Sequence, residues 1–279
     1  MSPSPAEFHG IGAGSVMRRK ADGSCECITD EVTIEEPLEI RIGQDPIAVT
    51  MRTPGNDEEL AAGFLLSEGI VRARSDLREI IHCTLPASLG NVLNVTLSAN
   101  AKFNPAAAHR FGTISTSCGL CGKTSIEFIQ QQFPPIDSST WIQIEAAKLL
   151  ALPEALRNAQ ANFARTGGIH AAAIFNLDGE PIVLREDIGR HNAVDKAMGR
   201  AFLDGLLPLN RHLLLVSGRS SLEIVQKALA AGIPIVAAVS APSSLAVNFA
   251  RESGQTLIGF LRPPTFNVYS HIDRVAFDR

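Results

Sequence analysis

Aromatic residues are scarce in this chain: one Trp, one Tyr and 13 Phe among 279 residues. A surface that stacks nucleic-acid bases needs exposed aromatics among basic side chains, so that class of function is disfavoured. No excess of positive charge makes up for it, because 25 Lys and Arg stand against 29 Asp and Glu, a net charge of -4. Nothing in that balance draws the chain to a polyanion or to an acidic membrane surface. Long apolar runs are also missing, none approaching the ~18 residues of a membrane span. The opening MSPSPAEFHG has no charged segment followed by an apolar stretch, so it does not read as an export signal. A soluble, cytoplasmic protein is expected. Five cysteines, an odd count, then argue for thiols rather than structural disulfides.

What is present is an ordinary globular composition, 45% hydrophobic and 19% charged, enough to bury a core throughout. Residues 1–30 are rich in Ser, Pro and Gly without a regular period and read as a loosely ordered leader. Alternation at 32–34, 38–42 and 47–51 predicts a β-hairpin. Asn56, followed by Glu58 and Glu59 and by apolar residues at helical spacing, predicts a capped amphipathic helix ending near Gly69. Further strands are expected at 80–83 and 92–97, making residues 31–112 a small β-rich α+β unit. Residues 113–139 read as a mobile loop and linker. A long helix follows Trp141, with Pro153 as a break and Gly167-Gly168 closing it.

From residue 140 to the end the pattern becomes α/β. A hairpin at 170–175 and 181–184 turns on Asp178-Gly179. A helix is expected at 193–203. Apolar strands at 213–216, 235–239 and 257–261 then alternate with helices at 221–231 and 244–252, which implies a largely parallel sheet.

The sharpest chemical feature is Cys118-Gly119-Leu120-Cys121, set among glycines and hydroxyl residues in TISTSCGLCGK. A structural zinc site needs four ligands, and the remaining candidates, Cys25 and Cys27, are spaced by one residue only. A deaminase zinc site needs H-x-E, yet none of the seven histidines lies two residues before a Glu. No βαβ pattern surrounds the pair, as a thioredoxin-like centre would require. A thiol pair on a flexible tether remains, which suits sulfur transfer: a thiolate takes sulfur from a persulfide and carries it to an acceptor. No permanently bound metal is expected.

Two similar junctions follow successive strands, Ser217-Gly218-Arg219-Ser220-Ser221 and Ser240-Ala241-Pro242-Ser243-Ser244. Both lead into helices, whose free N–H groups attract anions, so Ser217, Arg219, Ser220 and Ser243 are candidate phosphate contacts. Plain serine capping is the competing reading. His191, beside Arg190 in REDIGRHNAVDK, is placed on the same rim, with a solvated loop as the competing reading. His170 enters an apolar strand and reads more readily as a core histidine. Arg262 could grip a phosphate or a guanine edge through its guanidinium fork.

Taken in order, STSCGLCGK, TGGIHAAA, REDIGRHNAVDK, SGRSS, APSSLAV and GFLRPPTFNVY resemble the formate dehydrogenase accessory sulfurtransferase family, the FdhD proteins. The resemblance runs from about Arg52 to the C-terminus and gives Cys25 and Cys27 no role. It implies a sulfur carrier that receives sulfur from a cysteine desulfurase and passes it to the molybdenum cofactor, as bis-molybdopterin guanine dinucleotide, before insertion into formate dehydrogenase. It further implies a cytidine-deaminase-like C-terminal fold and a homodimer. Carried over by position, Cys118 would bear the persulfide with Cys121 as its less critical partner. Phe260, Leu261, Arg262, Pro263, Pro264 and Thr265 would contact the guanine dinucleotide. A cofactor-binding chaperone without chemistry of its own is the alternative, since it would need the same pocket but not the thiols.

Overall fold

The computed structural model describes residues 10–84, 90–99, 101, 133–137 and 142–277. Cys118, Cys121 and most of the loop read at 113–139 lie outside the described residues. No helix among the described residues is long and apolar enough to cross a membrane.

The fold is mixed α/β, with six α-helices and several sheets among the described residues. Its largest sheet has six strands in the order β13-β12-β11-β10-β8-β9. These are β8 (His170–Asn176), β9 (Pro181–Asp187), β10 (His212–Val216), β11 (Ile235–Ala238), β12 (Thr256–Arg262) and β13 (Thr265–Ser270). Only β10, β11 and β12 run parallel; the joins to β8, β9 and β13 are antiparallel. The expectation of a largely parallel sheet is therefore corrected to a parallel centre with antiparallel flanks. The cause is connection length, because the tight turns β8–β9 and β12–β13 can only reverse the chain, whereas parallel pairs need a crossover.

The crossovers are α5 (Leu222–Ala230) and α6 (Ser244–Glu252), and α4 (Arg190–Leu203) joins β9 to β10. Alternation along the strands sends side chains to two cores. Leu214, Val216, Ile174 and Val236 belong to the cluster that includes residues of α4, α5 and α6. Leu213, Leu215, Phe175 and Ile235 belong to the other, with Leu149, Leu152 and Leu156 of α2 (Ala146–Ala159). Pro153 lies inside α2 rather than breaking it; the interruption comes at Gln160, before the short α3 (Ala161–Thr166) ends on the left-handed Gly167.

The N-terminal part contributes the ribbon β1 (Ile11–Arg19) and β2 (Cys25–Thr33), then β3 (Glu36–Ile42), β4 (Asp45–Arg52), β5 (Leu77–His82) and β6 (Val92–Leu97). The last four form a sheet ordered β4-β3-β6-β5. A parallel bridge between β7 (Ile144–Glu145) and β14 (Val275–Ala276) ties the start of α2 to the end of the chain. The ribbon replaces the loosely ordered leader expected within residues 1–30. Its nine cross-strand partners from Ile11↔Thr33 to Arg19↔Cys25 were hidden by small and polar residues that leave no one-sided apolar period.

Between the two sheets lies α1 (Asp57–Ser67). Nine of its eleven residues are buried, and Asn56 adopts a left-handed conformation without a side-chain cap. The capped amphipathic helix expected here is corrected on both counts. Its acidic first turn is buried because partners meet it: Arg52 holds Asp57 at 2.9 Å, and Arg185 holds Glu59 at 2.8 Å. α1 crosses α4 backbone to backbone. A Cβ added to Gly63 would lie 1.9 Å from the Asp195 carbonyl oxygen, and one on Gly199 would lie 1.8 Å from that of Glu59. The apolar core thus continues from Leu38 and Leu93 through Leu60 and Leu65 into Ala197 and Leu214.

Candidate functional site

A cleft of about 740 Å³ opens at the carboxyl ends of β10 and β12. Ligands of open α/β sheets are held at such strand ends. Ser217, directly after β10, forms one wall; Leu261, Arg262 and Pro263, where β12 turns into β13, form another. The third wall is the break between α2 and α3, carrying Arg157, Gln160 and Phe163.

The serine hydroxyl is fixed from both sides. Ser217 Oγ accepts the Ala171 N–H at 2.9 Å and lies 3.5 Å from His170 Nδ1. Burial, reinforced by the Arg190 guanidinium, holds His170 below the usual imidazole range, so it presents a neutral ring at neutral pH. His170 therefore belongs to the cleft rather than to the core. Gly218 packs beside this corner, where a Cβ would sit in ordinary contact with His170 Nδ1 at 3.4 Å and Arg190 Cδ at 3.6 Å. Arg262 is exposed and lines the cleft, and its Nε donates to the Val239 carbonyl at 2.9 Å.

Among the described cleft-lining residues, one buried polar group has no partner. Gln160 is 6% exposed, yet its Nε2 has no hydrogen-bond partner among the described residues. Outside the cleft lining, the same holds for Arg190 Nε and Ser220 Oγ. A buried donor left unmade costs about 1–3 kcal/mol, so such groups call for an explanation, and a bound polar ligand is one. Arg157 lies 5.7 Å from the centroid of the Phe163 ring, a cation–π contact that steadies it at the rim.

The predicted residues divide between this cleft and elsewhere. Ser217, Leu261, Arg262 and Pro263 meet there. Phe260, 41% exposed with a left-handed backbone, and the exposed Pro264 and Thr265 extend the same strand end and turn. Ser243 caps α6 by accepting the Ala246 N–H at 3.2 Å, as the capping reading has it. Arg219 is exposed and Ser220 is fully buried. His191 turns away from the cleft. Its Nε2 lies 3.1 Å from Ser221 Oγ and 3.3 Å from Glu223, in a small chamber that Asp195 and Lys227 share with Ile40, Leu60 and Phe64. Burial, opposed by Glu223 and aided by Lys227, Arg190 and His170, depresses its pKa to about 4. Sequence reasoning missed Arg157, Gln160 and Phe163, whose only signal was the helical stretch before Gly167-Gly168.

Residues 33–276 match the model of the FdhD/NarQ family. The chain belongs to the FdhD/NarQ family. It is 48% identical over 263 residues to the sulfur carrier protein FdhD of Streptomyces coelicolor, covering 92% of this chain and 93% of that one. Sulfur carrier protein FdhD of Mycolicibacterium paratuberculosis is 50% identical over 254 residues, covering 88% and 92%. That of Anaeromyxobacter dehalogenans is 43% identical over 275 residues, covering 95% of each. A crystal structure from Desulfotalea psychrophila, assigned as a formate dehydrogenase accessory protein, superposes with a TM-score of 0.75 at 25% identity, over 96% of this chain and 100% of that one. The FdhD/NarQ relationship thus spans both sheets and the cleft between the strand ends and α3.

Proposed function

We propose that this chain is a sulfur carrier in formate dehydrogenase maturation, and that the cleft holds the phosphate-bearing end of its acceptor. The observation that carries this is the cleft itself: a buried Gln160 amide, its Nε2 without a partner among the described residues, lining one cleft with Arg157 and Arg262 at the ends of parallel strands, in a family whose relatives are named sulfur carriers. Cavities of about 300–1,000 Å³ suit one drug-sized ligand. A space of about 740 Å³ therefore suits one nucleotide end of a large cofactor, the rest lying outside. Arg157 and Arg262 supply guanidinium forks for phosphate, and neutral His170 with Ser217 supplies a hydrogen-bonding floor. The acceptor is the molybdenum cofactor as bis-molybdopterin guanine dinucleotide.

The chemistry belongs to Cys118. Its thiolate attacks the terminal sulfur of a cysteine desulfurase persulfide; the donor's S–S bond breaks, the donor leaves as a thiolate, and Cys118 keeps the sulfur with no net redox change. The Cys118 Sγ–S bond then breaks as the terminal sulfur passes to the cofactor bound at the cleft. Cys118 leaves as a thiolate, and the acceptor supplies the two electrons that make the sulfur a sulfide, before the cofactor enters formate dehydrogenase. Cys121 assists as the neighbouring thiol. On this reading the six-stranded unit is a cytidine-deaminase-like scaffold stripped of deaminase chemistry, and the protein works in the cytoplasm as a homodimer.

Intact-mass measurement after incubation with a cysteine desulfurase and L-cysteine tests it, with dithiothreitol as the control for reducibility. Wild type is expected to gain the mass of one or more sulfur atoms, and Cys118→Ala to gain less. A wild type that gains none while still binding the cofactor would overturn sulfur carriage in favour of a binding chaperone.

A further inference from the structure

The ribbon carries chemistry that the cleft does not use. Cys25 and Cys27 are both exposed, and they lie outside the stretch that the family model matches. At positions i and i+2 of β2 they share one face of the ribbon. The cross-strand register places Arg19 opposite Cys25 and Met17 opposite Cys27, so all four side chains stand on that face. Ser15 reaches diagonally, its Oγ 2.9 Å from Cys27 Sγ. Met17 is 70% exposed, which leaves the thiols open to a large partner.

We infer that Cys25 and Cys27 form a second sulfane-sulfur site, an outer landing position for a protein-bound cysteine persulfide. This rests on the sulfur-carrier reading above. A thiolate on the ribbon attacks the terminal sulfur of the donor persulfide. The donor's S–S bond breaks as the new Cys Sγ–S bond forms, and the departing donor thiolate takes up the proton released by the ribbon thiol. No oxidant or reductant is consumed.

Three features make the ribbon a keeper of such sulfur rather than a pair that discharges it. Two residues apart on one strand, the Cα atoms stand about 6.8 Å from each other. Disulfides centre near 5.5–6 Å, and about 6.8 Å is their upper limit. The neighbouring thiol is thereby held back from closing a ring and expelling sulfide. The Ser15 hydroxyl offers a hydrogen bond to sulfur on Cys27, and Arg19, whose guanidinium leans over the turn 3.9 Å from where a Gly23 Cβ would sit, offers positive charge beside Cys25. The ribbon is also anchored. Arg165 of α3 holds Glu31 at 2.8 Å, and Thr166 meets Thr33 at 2.9 Å, on the helix that also lines the cleft. From Thr33 to Cys27 the strand extends about 20 Å, so the thiols stand well out from the cleft wall on a fixed arm.

Peptide mapping tests the site on the full-length protein. After loading with a cysteine desulfurase and L-cysteine, persulfides are trapped by alkylation and the chain is cut with trypsin. The ribbon thiols fall in peptide 21–41, Cys83 in 79–102, and Cys118 with Cys121 in 111–123. Trapped persulfide is expected on 21–41 at several times the level on 79–102, and it persists in Cys118→Ala/Cys121→Ala. Ser15→Ala lowers it by about threefold, the loss of one modest hydrogen bond. Loading of 21–41 no greater than that of 79–102, or recovery of 21–41 as an internal disulfide, would overturn the inference. If 111–123 loads and 21–41 does not, this site falls while sulfur carriage stands; if neither loads, both fall.

Discussion

The seam between α1 and α4 and the rim of the cleft both bring polar side chains out of water, but they finish the task differently. In the seam each charge is answered. Lys227, 3% exposed, donates to both carboxylate oxygens of Asp195 at 2.9 and 2.8 Å and to Ser67 at 2.9 Å. Lys196 meets Asp187 at 2.7 Å and the Thr53 carbonyl at 2.7 Å. At the cleft, the buried Gln160 leaves its Nε2 without a partner among the described residues. The first arrangement joins two parts of one chain. The second leaves bonding capacity for something the chain does not contain.

Breaking one partner in the seam should have the largest effect. Lys227→Met strands the buried Asp195 carboxylate and is expected to cost about 3 kcal/mol of unfolding free energy in urea. Adding Asp195→Leu should recover most of it, because removing both charges of a buried pair is often nearly neutral. A double variant as unstable as the single one would refute the pairing argument.

The pH dependence is next in size. His191 titrates at about 4 in the folded protein against an ordinary 6.5, so below pH 6.5 the unfolded chain binds a proton that the folded chain refuses. Stability from this group is therefore full above pH 6.5 and falls as pH drops toward 4. Between pH 7 and pH 5 the loss is about 2 kcal/mol. Asp195 beside it, whose carboxyl burial raises to about 6, takes up a proton over the same range and opposes this loss. In His191→Gln the urea midpoint at pH 5 should therefore rise relative to that at pH 7; a difference unchanged from wild type would assign the dependence to other groups.

The smallest effect on stability, and the one that sharpens the contrast, lies at the cleft. Gln160→Leu removes an amide with an unmet donor, and is expected to leave unfolding free energy within about 0.5 kcal/mol while weakening guanosine diphosphate binding about tenfold. A loss of several kcal/mol without any change in binding would place Gln160 with the seam instead.

Much of the α/β half was legible from the chain alone, because its strands are buried on both faces and read as short apolar runs between clear turn residues such as Asp178-Gly179. The direction of its outer strands was less legible, since hairpin geometry rather than composition sets it. Ser217, Leu261, Arg262 and Pro263 were reachable because strand ends before helices or prolines announce themselves. Gln160 was not, since its interest lies in a bond it does not make. His191 was assigned to the rim by its position at a helix start, but one helical residue's rotation points it into the α1 seam. The ribbon escaped notice because both its faces are wet or half wet, and Gly63 and Gly199 did so because only the crossing of two distant helices gives them meaning.

That crossing bears on how the protein can be divided. With carbonyl oxygens standing where side chains would begin at Gly63 and Gly199, α4 carries a trough shaped for one particular helix. Cut free of residues 10–84, the cleft-bearing half would expose this trough to water along with Asp195 and Lys227, now solvated on one side. It is not a transplantable cassette, and a truncated version made to study ligand binding would report on a different surface.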